Sequence, residues 1–562
     1  MAAGGKVEAV KQASRGLRGT IGPTLAGEAD HFANGDEQLL KFHGLYQGYD
    51  RDSATELKQK GQVKAHQFMV RAKIPAGQLT ADQYLALDDI AERHGGGNLR
   101  VTTRQGIQFH GLIKGDLKPA IAAINTSLLT TLAACGDVVR NVTATPAPIA
   151  DVVHRTLQAE AARLSAELAP KTRGYHEIWV DGEATGEDET DALYGETYLP
   201  RKFKIGLAAP EDNSIDVLTN DLALIALFAG DTLTGYNVAV GGGLGMTHNK
   251  PKTYPRLATA VVFVPPEDLL AVTRAVIEVQ RDNGDRIDRK HARLKYLVDD
   301  KGLPGFKAQL EQRLGRALEA PRAMPRFRVL DHMGWHAQGD GKFYIGLPIA
   351  NGRIKDEGSV RLRTALRTIF NTVDARPILM ATQDILIADL SIDDRETVDG
   401  ILKEHGVALP LDITPVARWA MACPALPTCG LALNEAERIR IPLIDEIEQA
   451  LARHGLKYER LSVRITGCPN GCARPYAGDI GLVGRTPDSY AIYLGGDFEG
   501  TRLNRLVFER VKLDDIASIL EPIFAHFAST RHPGEGFGDF CHRHDNATLL
   551  ELAGAAPRLA VA

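Results

Sequence analysis

Four of the six cysteines of this chain fall within a window of fifty residues, with a spacing that suits a metal centre. Cys423 and Cys429 form a C-x5-C pair in CPALPTC, and Cys468 and Cys472 form a C-x3-C pair in CPNGC. Zinc knuckles generally leave two to four residues between ligands, so the five-residue spacing disfavours zinc without excluding it. A 4Fe-4S cube takes four thiolates from loops wrapped round it, and Pro424, Pro427, Gly467, Pro469 and Gly471 supply such loops. The plainer alternative is four buried thiols in a reduced core. Cys135 and Cys541 stand apart, outside the ligand motifs, and no cofactor role is expected of them.

Cationic residues form the second chemical signal. In LPRKFKI the period of a strand aims Lys202 and Lys204 the same way, against Phe203 and Ile205, and two like charges side by side call for an anion between them. In RQGIQFH the same alternation puts Arg104, Gln108 and His110 on one face, with Arg100 on the same polar side; a solvated strand face is the alternative. The run from Arg281 to Lys295 contains Arg289, Lys290, His291 and Arg293 interrupted by aspartates, which composition alone reads as a solvated helix face. Gly241-Gly242-Gly243 alone reads as a turn. Arg71 and Arg140 are unremarkable by themselves.

Longer stretches carry a family resemblance. MACPALPTCGLALNEAERI, VRITGCPNGCARPYAGDIGLVGR, YLGGDFEGTRL and GEGFGDF resemble the cluster-binding half of sulfite reductase hemoproteins, in the siroheme and 4Fe-4S nitrite and sulfite reductase family. The likeness continues upstream, in order, through LRGTI, KFHGLYQGYDRD, TRQGIQFHG, RNVT, TYLPRKFK, GGGL and RDNGDRIDRK, and so covers nearly the whole chain.

The resemblance implies one 4Fe-4S cluster on the four cysteines, with Cys472 bridging it to siroheme iron. It implies an anion pocket of Arg71, Arg140, Lys202 and Lys204. Siroheme carries eight carboxylates, and Arg100, Arg104, Gln108, His110, Gly242, Arg289, Lys290, His291 and Gln383 are the residues expected to meet the macrocycle. Lysine is the better proton source, because burial lowers its pKa while arginine stays charged. The implied reaction is the six-electron reduction of sulfite to sulfide, as in assimilatory sulfite reductases. A nitrite reductase shares the cofactors and is the nearest competitor; a zinc scaffold is the competitor from another class. No strand leads through GxGxxG into a helix, so electrons are expected from a separate protein, an NADPH-dependent flavoprotein or a ferredoxin.

The elements that must position these residues are legible in outline. From Phe68 the pattern reads strand to Ile74, turn, helix Ala81 to His94, then strands Asn98 to Thr103 and Gly106 to Leu112. A similar order recurs from Phe343, with a helix from Ser359 to Phe370, and Gln383 stands between paired strands as Gln105 does, which suggests duplication. The expected fold class is α+β: a composite ferredoxin-like domain from two repeats, 66–132 and 326–408, plus two α/β domains, 133–325 and 409–562, around central siroheme and cluster. Residues 1–65 read as an extended arm.

Composition sets the remaining limits. With 562 residues, 44% hydrophobic, 24% charged and a net charge of -5, the chain reads as a large globular enzyme without an electrostatic case for nucleic acid or a membrane surface. MAAGGKVEAVKQASRG lacks the apolar core of a secretory signal, and six cysteines in such a length make no disulfide framework, so the cytoplasm is the expected compartment.

Overall fold

The computed structural model describes residues 5–172, 174–175, 179–180, 183–184 and 190–554. Two ferredoxin-like repeats share one core. In the first, the sheet runs Leu45–Tyr49, His66–Ala72, Ile107–Leu112, Leu99–Val101 and Arg353–Ile354, every pair antiparallel. The last of these strands comes from the second repeat. That repeat's own sheet runs Gly334–Ala337, Phe343–Leu347, Ile385–Leu390 and Arg376–Leu379. Val70, Phe109 and Leu87 from one repeat bury with Ile345, Ile387 and Leu366 from the other in a single apolar cluster.

The expected helix over Ala81–His94 is present. Thr80 and Gln83 close a capping box at its start, and Tyr84, Leu87, Ile90 and Ala91 form its buried stripe. Its counterpart starts later than the sequence suggested, at Leu362, because Asp356–Glu357 and Val360–Arg361 form a small hairpin around Gly358, at φ 59°. Residues 5–65 are not an extended arm. They form helices Lys6–Ala13, Ile21–Ala26, Asn34–Leu40 and Ala54–Gln59, and the strand Leu45–Tyr49 at the edge of the first sheet.

Each repeat is followed by a five-stranded sheet of the same design. After the first come Thr143–Ala144, Ile205–Ala208 and Leu222–Ala229 in parallel, then Thr232–Val240 and Thr259–Val264 antiparallel. After the second come Met421–Ala422, Val463–Thr466 and Ile480–Thr486 in parallel, then Ser489–Leu494 and Arg505–Lys512 antiparallel.

Two glutamines make the duplication explicit at atomic level. Gln105 and Gln383 both have positive φ, 52° and 79°. The Gln105 amide donates to Ala76 O and Ala144 O and accepts from Ala144 N. The Gln383 amide donates to Asn351 O and accepts from Ala422 N. Each therefore ties a tight turn of its own repeat to the first strand of the sheet that follows. Among the described residues no helix is long and apolar enough to cross a membrane.

Candidate functional site

The two cysteine pairs converge because neighbouring parallel strands deliver them. Cys423 follows Met421–Ala422 directly, and Cys468 lies two residues beyond Val463–Thr466, its partner strand. Gly467 N donates to Cys423 Sγ at 3.4 Å. A Cβ on Gly467 would stand 2.3 Å from Asn434 O, so this close turn requires glycine. Burial first, and then the neighbouring sulfurs, push the Cys423 and Cys429 thiols up and raise Cys468 to about 12. Cys423 and Cys468 are buried, Cys429 is half-buried and Cys472 is exposed.

Among the described residues, the trio whose ligand atoms lie within 4.8 Å of one another is Asp30, His31 and His66, outside the cysteine loops.

The first repeat reaches this centre. Thr103 Oγ1 donates to Cys472 O at 3.1 Å, and Arg100 Nη2 donates to Ala422 O at 2.8 Å. Strand register puts Arg71 opposite Gln108 and Gln108 opposite Arg100, three polar side chains in a row across the sheet. Gln108 Nε2 contacts Met69 Sδ at 3.6 Å. His110 Nδ1 accepts from Arg353 at 2.9 Å, and burial together with Arg353 and Arg100 holds the imidazole well below its usual pKa.

Lys202 and Lys204 sit in the segment leading into Ile205–Ala208; regular strand begins only at Ile205. Phe203 bridges to Val139, and Arg140 N donates to Phe203 O at 2.9 Å, which brings Arg140 beside the lysines. Burial depresses both ammonium groups well below the ordinary lysine range. The other cations add to this: Lys204, Arg140, Arg293 and Arg201 for Lys202, and Arg104, Arg293 and Arg140 for Lys204. Arg104, pushed down to about 9 by burial and by Arg140, donates to Asn220 Oδ1 at 2.6 Å and to Ile205 O at 3.1 Å. Arg71 Nη1 donates to Cys135 Sγ at 3.0 Å, so Cys135 borders this group although its sequence context gave no sign of it.

Other expected residues have different surroundings. Arg289 is tied to Asp137 by two bonds of 2.7 and 3.0 Å. Lys290 is exposed, and His291 stacks on Tyr296 at 4.4 Å beside Asp285 and Asp300. Gln383 holds the second repeat to the cysteine strand, as described above. Arg201 and Arg293 join the cationic group without having been singled out for it. Arg201 is depressed to about 10, by burial and by Arg289. The signal for both lay in the PRKFK and DRKHARLK segments themselves. Arg293 is buried in what composition read as a solvated face, because the helix Leu269–Asn283 ends before it and the next begins at Leu294.

Glycines 241 to 243 lie against this group. Arg256 Nη1 donates to Gly241 O at 3.1 Å, and Lys295 Nζ donates to Gly243 O and Gly245 O, both at 3.0 Å, so the carbonyls are tied down from behind. A Cβ on Gly242 would stand 2.2 Å from Asn220 O and 2.3 Å from Leu218 O. Gly242→Ala therefore displaces the loop; the expected result is a purified protein with much less siroheme absorption per chain than wild type, while its far-ultraviolet circular dichroism is retained.

The cations fit a polyanionic macrocycle. Arg71, Arg104, Arg140, Arg201, Lys202, Lys204, Arg289 and Arg293 are all buried or partly buried, with Asp137 and Asp221 as the carboxylates bonded among them. Arg71 Nε and Arg104 Nε are buried without a hydrogen-bond partner. Such an excess of desolvated positive charge is costly unless anions join it.

A duplicated α+β fold with a four-thiolate centre beside a cationic lining defines a redox enzyme that pairs an iron–sulfur cluster with an anionic cofactor. The sequence comparisons agree. The model described as the nitrite/sulfite reductase ferredoxin-like half domain matches residues 60–127, and that of the nitrite and sulphite reductase 4Fe-4S domain matches 160–318. The four cysteines lie beyond the second match, in the later sheet of the same strand order. The sulfite reductase [NADPH] hemoprotein beta-component of Myxococcus xanthus is 45% identical over 96% of both chains. The sulfite reductase [ferredoxin] of Synechococcus elongatus is 44% identical over 96% of this chain and 89% of its own. The solved structure of Mycobacterium tuberculosis NirA matches in fold, with a TM-score of 0.79, 24% identity and 96% coverage of both chains. The chain belongs to the siroheme and 4Fe-4S nitrite and sulfite reductase family.

Proposed function

We propose that this protein is the hemoprotein component of an assimilatory sulfite reductase, taking sulfite to sulfide with six electrons from a separate donor protein. The observation that carries this reading is the gathering of Lys202, Lys204, Arg140 and Arg104 into one desolvated cationic group in a chain whose cysteines form a four-thiolate centre. Similarity to relatives named as sulfite reductases supports sulfite over nitrite, and relatives named for NADPH and for ferredoxin support a donor of one of those two kinds.

Cys423, Cys429, Cys468 and Cys472 would hold the 4Fe-4S cluster, with Cys472 shared with siroheme iron. Arg100, Arg104, Gln108, His110, Gly242, Arg289, Lys290, His291 and Gln383 would meet or support the macrocycle, with Arg201 and Arg293 added to them. Bound there, the two groups would supply the electron-transfer chemistry that the reduction needs. Arg71 and Arg140 hold the oxyanion, and their charge opposes its escape. Lys202 and Lys204 donate protons from Nζ to the oxygens that depart as water, and their depressed pKa makes that transfer easier.

The sign of the pH dependence follows. Only the ammonium form binds the anion and donates, and burial and neighbouring cations lower the pH at which it loses its proton. Turnover is therefore expected to fall on the alkaline side at a pH well below the ordinary lysine range. A profile flat up to that range would contradict the assignment. The substrate is tested by competition: with a chemical reductant and both anions present, kcat/KM for sulfite is expected to exceed that for nitrite. The reverse order would make the protein a nitrite reductase.

A further inference from the structure

One carboxylate lies within the cationic group on the side of Lys204. Asp221 is fully buried. It precedes the strand Leu222–Ala229, whose first residue pairs with Ile205, so Asp221 lies across from Lys204. Its Oδ2 accepts from Lys204 N at 2.9 Å, and its Oδ1 accepts from Arg293 Nε at 2.9 Å. Its neighbour Asn220 accepts from Arg104 Nη1 at 2.6 Å. Two consecutive side chains thus fix the backbone of Lys204 and two of the arginines around it.

We propose that Asp221 is a positioning residue for the oxyanion pocket, holding the Lys204 segment in place and setting one negative charge against the cations around it. This rests on the reading that Lys204 faces the oxyanion.

The charges acting on Lys204 come from every element around it. Arg104 lies on the turn of the first repeat, Arg140 on the loop ahead of Thr143–Ala144, and Arg293 at the start of the helix Leu294–Leu314. Lys202 lies on the same segment as Lys204. The arginines lower the Lys204 pKa, Lys204 in turn lowers that of Lys202, and Asp221 opposes the shift at Lys204. Asp221 has the same sign of effect on Lys295, whose ammonium is spent on backbone carbonyls under the glycine loop. The largest charges acting on Lys202 are Lys204, Arg140, Arg293 and Arg201. Removal of Asp221 is therefore expected to act on Lys204 directly and through the neighbouring Arg293 and Arg104.

The test measures binding of inorganic sulfate to the purified holoenzyme by calorimetry across pH, since sulfate does not titrate near neutrality and its binding is independent of turnover. Wild type is expected to lose affinity as pH rises through the lysine pKa. In Asp221→Asn that alkaline limb is expected to move down by about 1 pH unit or more, as for the loss of an opposite charge within hydrogen-bonding distance of the segment. Arg293→Gln removes a neighbouring cation and is expected to move the limb the other way, so the proposal stays testable even where Asp221→Asn fails to fold. In a Lys204→Arg background, Asp221→Asn is expected to move the limb no further. A limb that stays in place while affinity drops uniformly would mean Asp221 is merely structural, and a shift that persists with Lys204→Arg would mean it acts elsewhere; either overturns the proposal. A wild type without an alkaline limb would contradict the lysine reading itself. A wild type preferring nitrite in the competition assay would overturn the substrate and leave the limb shifts standing.

Discussion

Replacing Lys204 with methionine is expected to lower kcat/KM for sulfite on the order of 100- to 1000-fold, the usual effect of removing one preorganised charged donor from an oxyanion site. Lys202→Met is expected to do the same. Methionine keeps most of the length and apolar stem of lysine and removes only the charge and its protons. Both positions are partly buried, and among the described residues no carboxylate is bonded to either ammonium, so neither variant strands a buried anion. Lysine to arginine separates the two roles: charge is retained but a titratable proton is lost, so KM should recover more than kcat. Steady-state kinetics with a chemical reductant, on enzyme matched for siroheme absorption, checks this. Wild-type kcat in both methionine variants would remove the lysines from the reaction.

The largest expected effect on stability comes from Asp216→Asn. This carboxylate is 2% exposed and binds Arg464 Nη1 and Arg474 Nε, both at 2.6 Å. Arg474 also donates to Thr103 O at 3.0 Å. One buried anion therefore joins the first repeat, the sheet that follows Lys202 and Lys204, and the sheet of the cysteines. Removing its charge leaves two buried guanidinium groups without a counter-ion, which costs about 3–5 kcal/mol. Since roughly 2–4 °C of midpoint accompanies each kcal/mol in units of this size, a fall of roughly 6–20 °C in the first thermal transition is expected. Differential scanning calorimetry measures it; a change of a degree or less would mean the three units are held together by other contacts.

The site was legible to the extent that its residues sit in short, chemically unusual strings. The cysteine pairs could be read because few structures other than a metal centre need four thiols in fifty residues with glycine and proline beside them. The lysine pair stood out because alternation set two like charges on one side, although regular strand starts only at Ile205 and the side chains are gathered by a loop. Gln105 and Gln383 were visible as a repeated position between paired strands, and the structure gives them matching bonds. Asp221 was hidden because an aspartate ahead of an apolar strand resembles any turn residue; its partners, Arg293 and Lys204, lie 72 and 17 residues away. Composition misread Arg281–Lys295 for a related reason. The helix breaks inside that run, so Arg293 and Lys295 turn inward while Lys290 stays exposed, a switch that charge spacing does not encode. The first 65 residues lacked clear periodicity because their helices are short and their one strand is an edge.

The most direct test of the central claim is the yield of sulfide per electron from purified, siroheme-containing enzyme, titrated with a chemical reductant under excess sulfite. One sulfide for every six electrons, lost in Lys204→Met protein of the same visible spectrum, is the result expected of a sulfite reductase whose protein groups bind and protonate the anion. Electrons consumed without sulfide, or ammonia formed from nitrite while sulfite is left untouched, would contradict it.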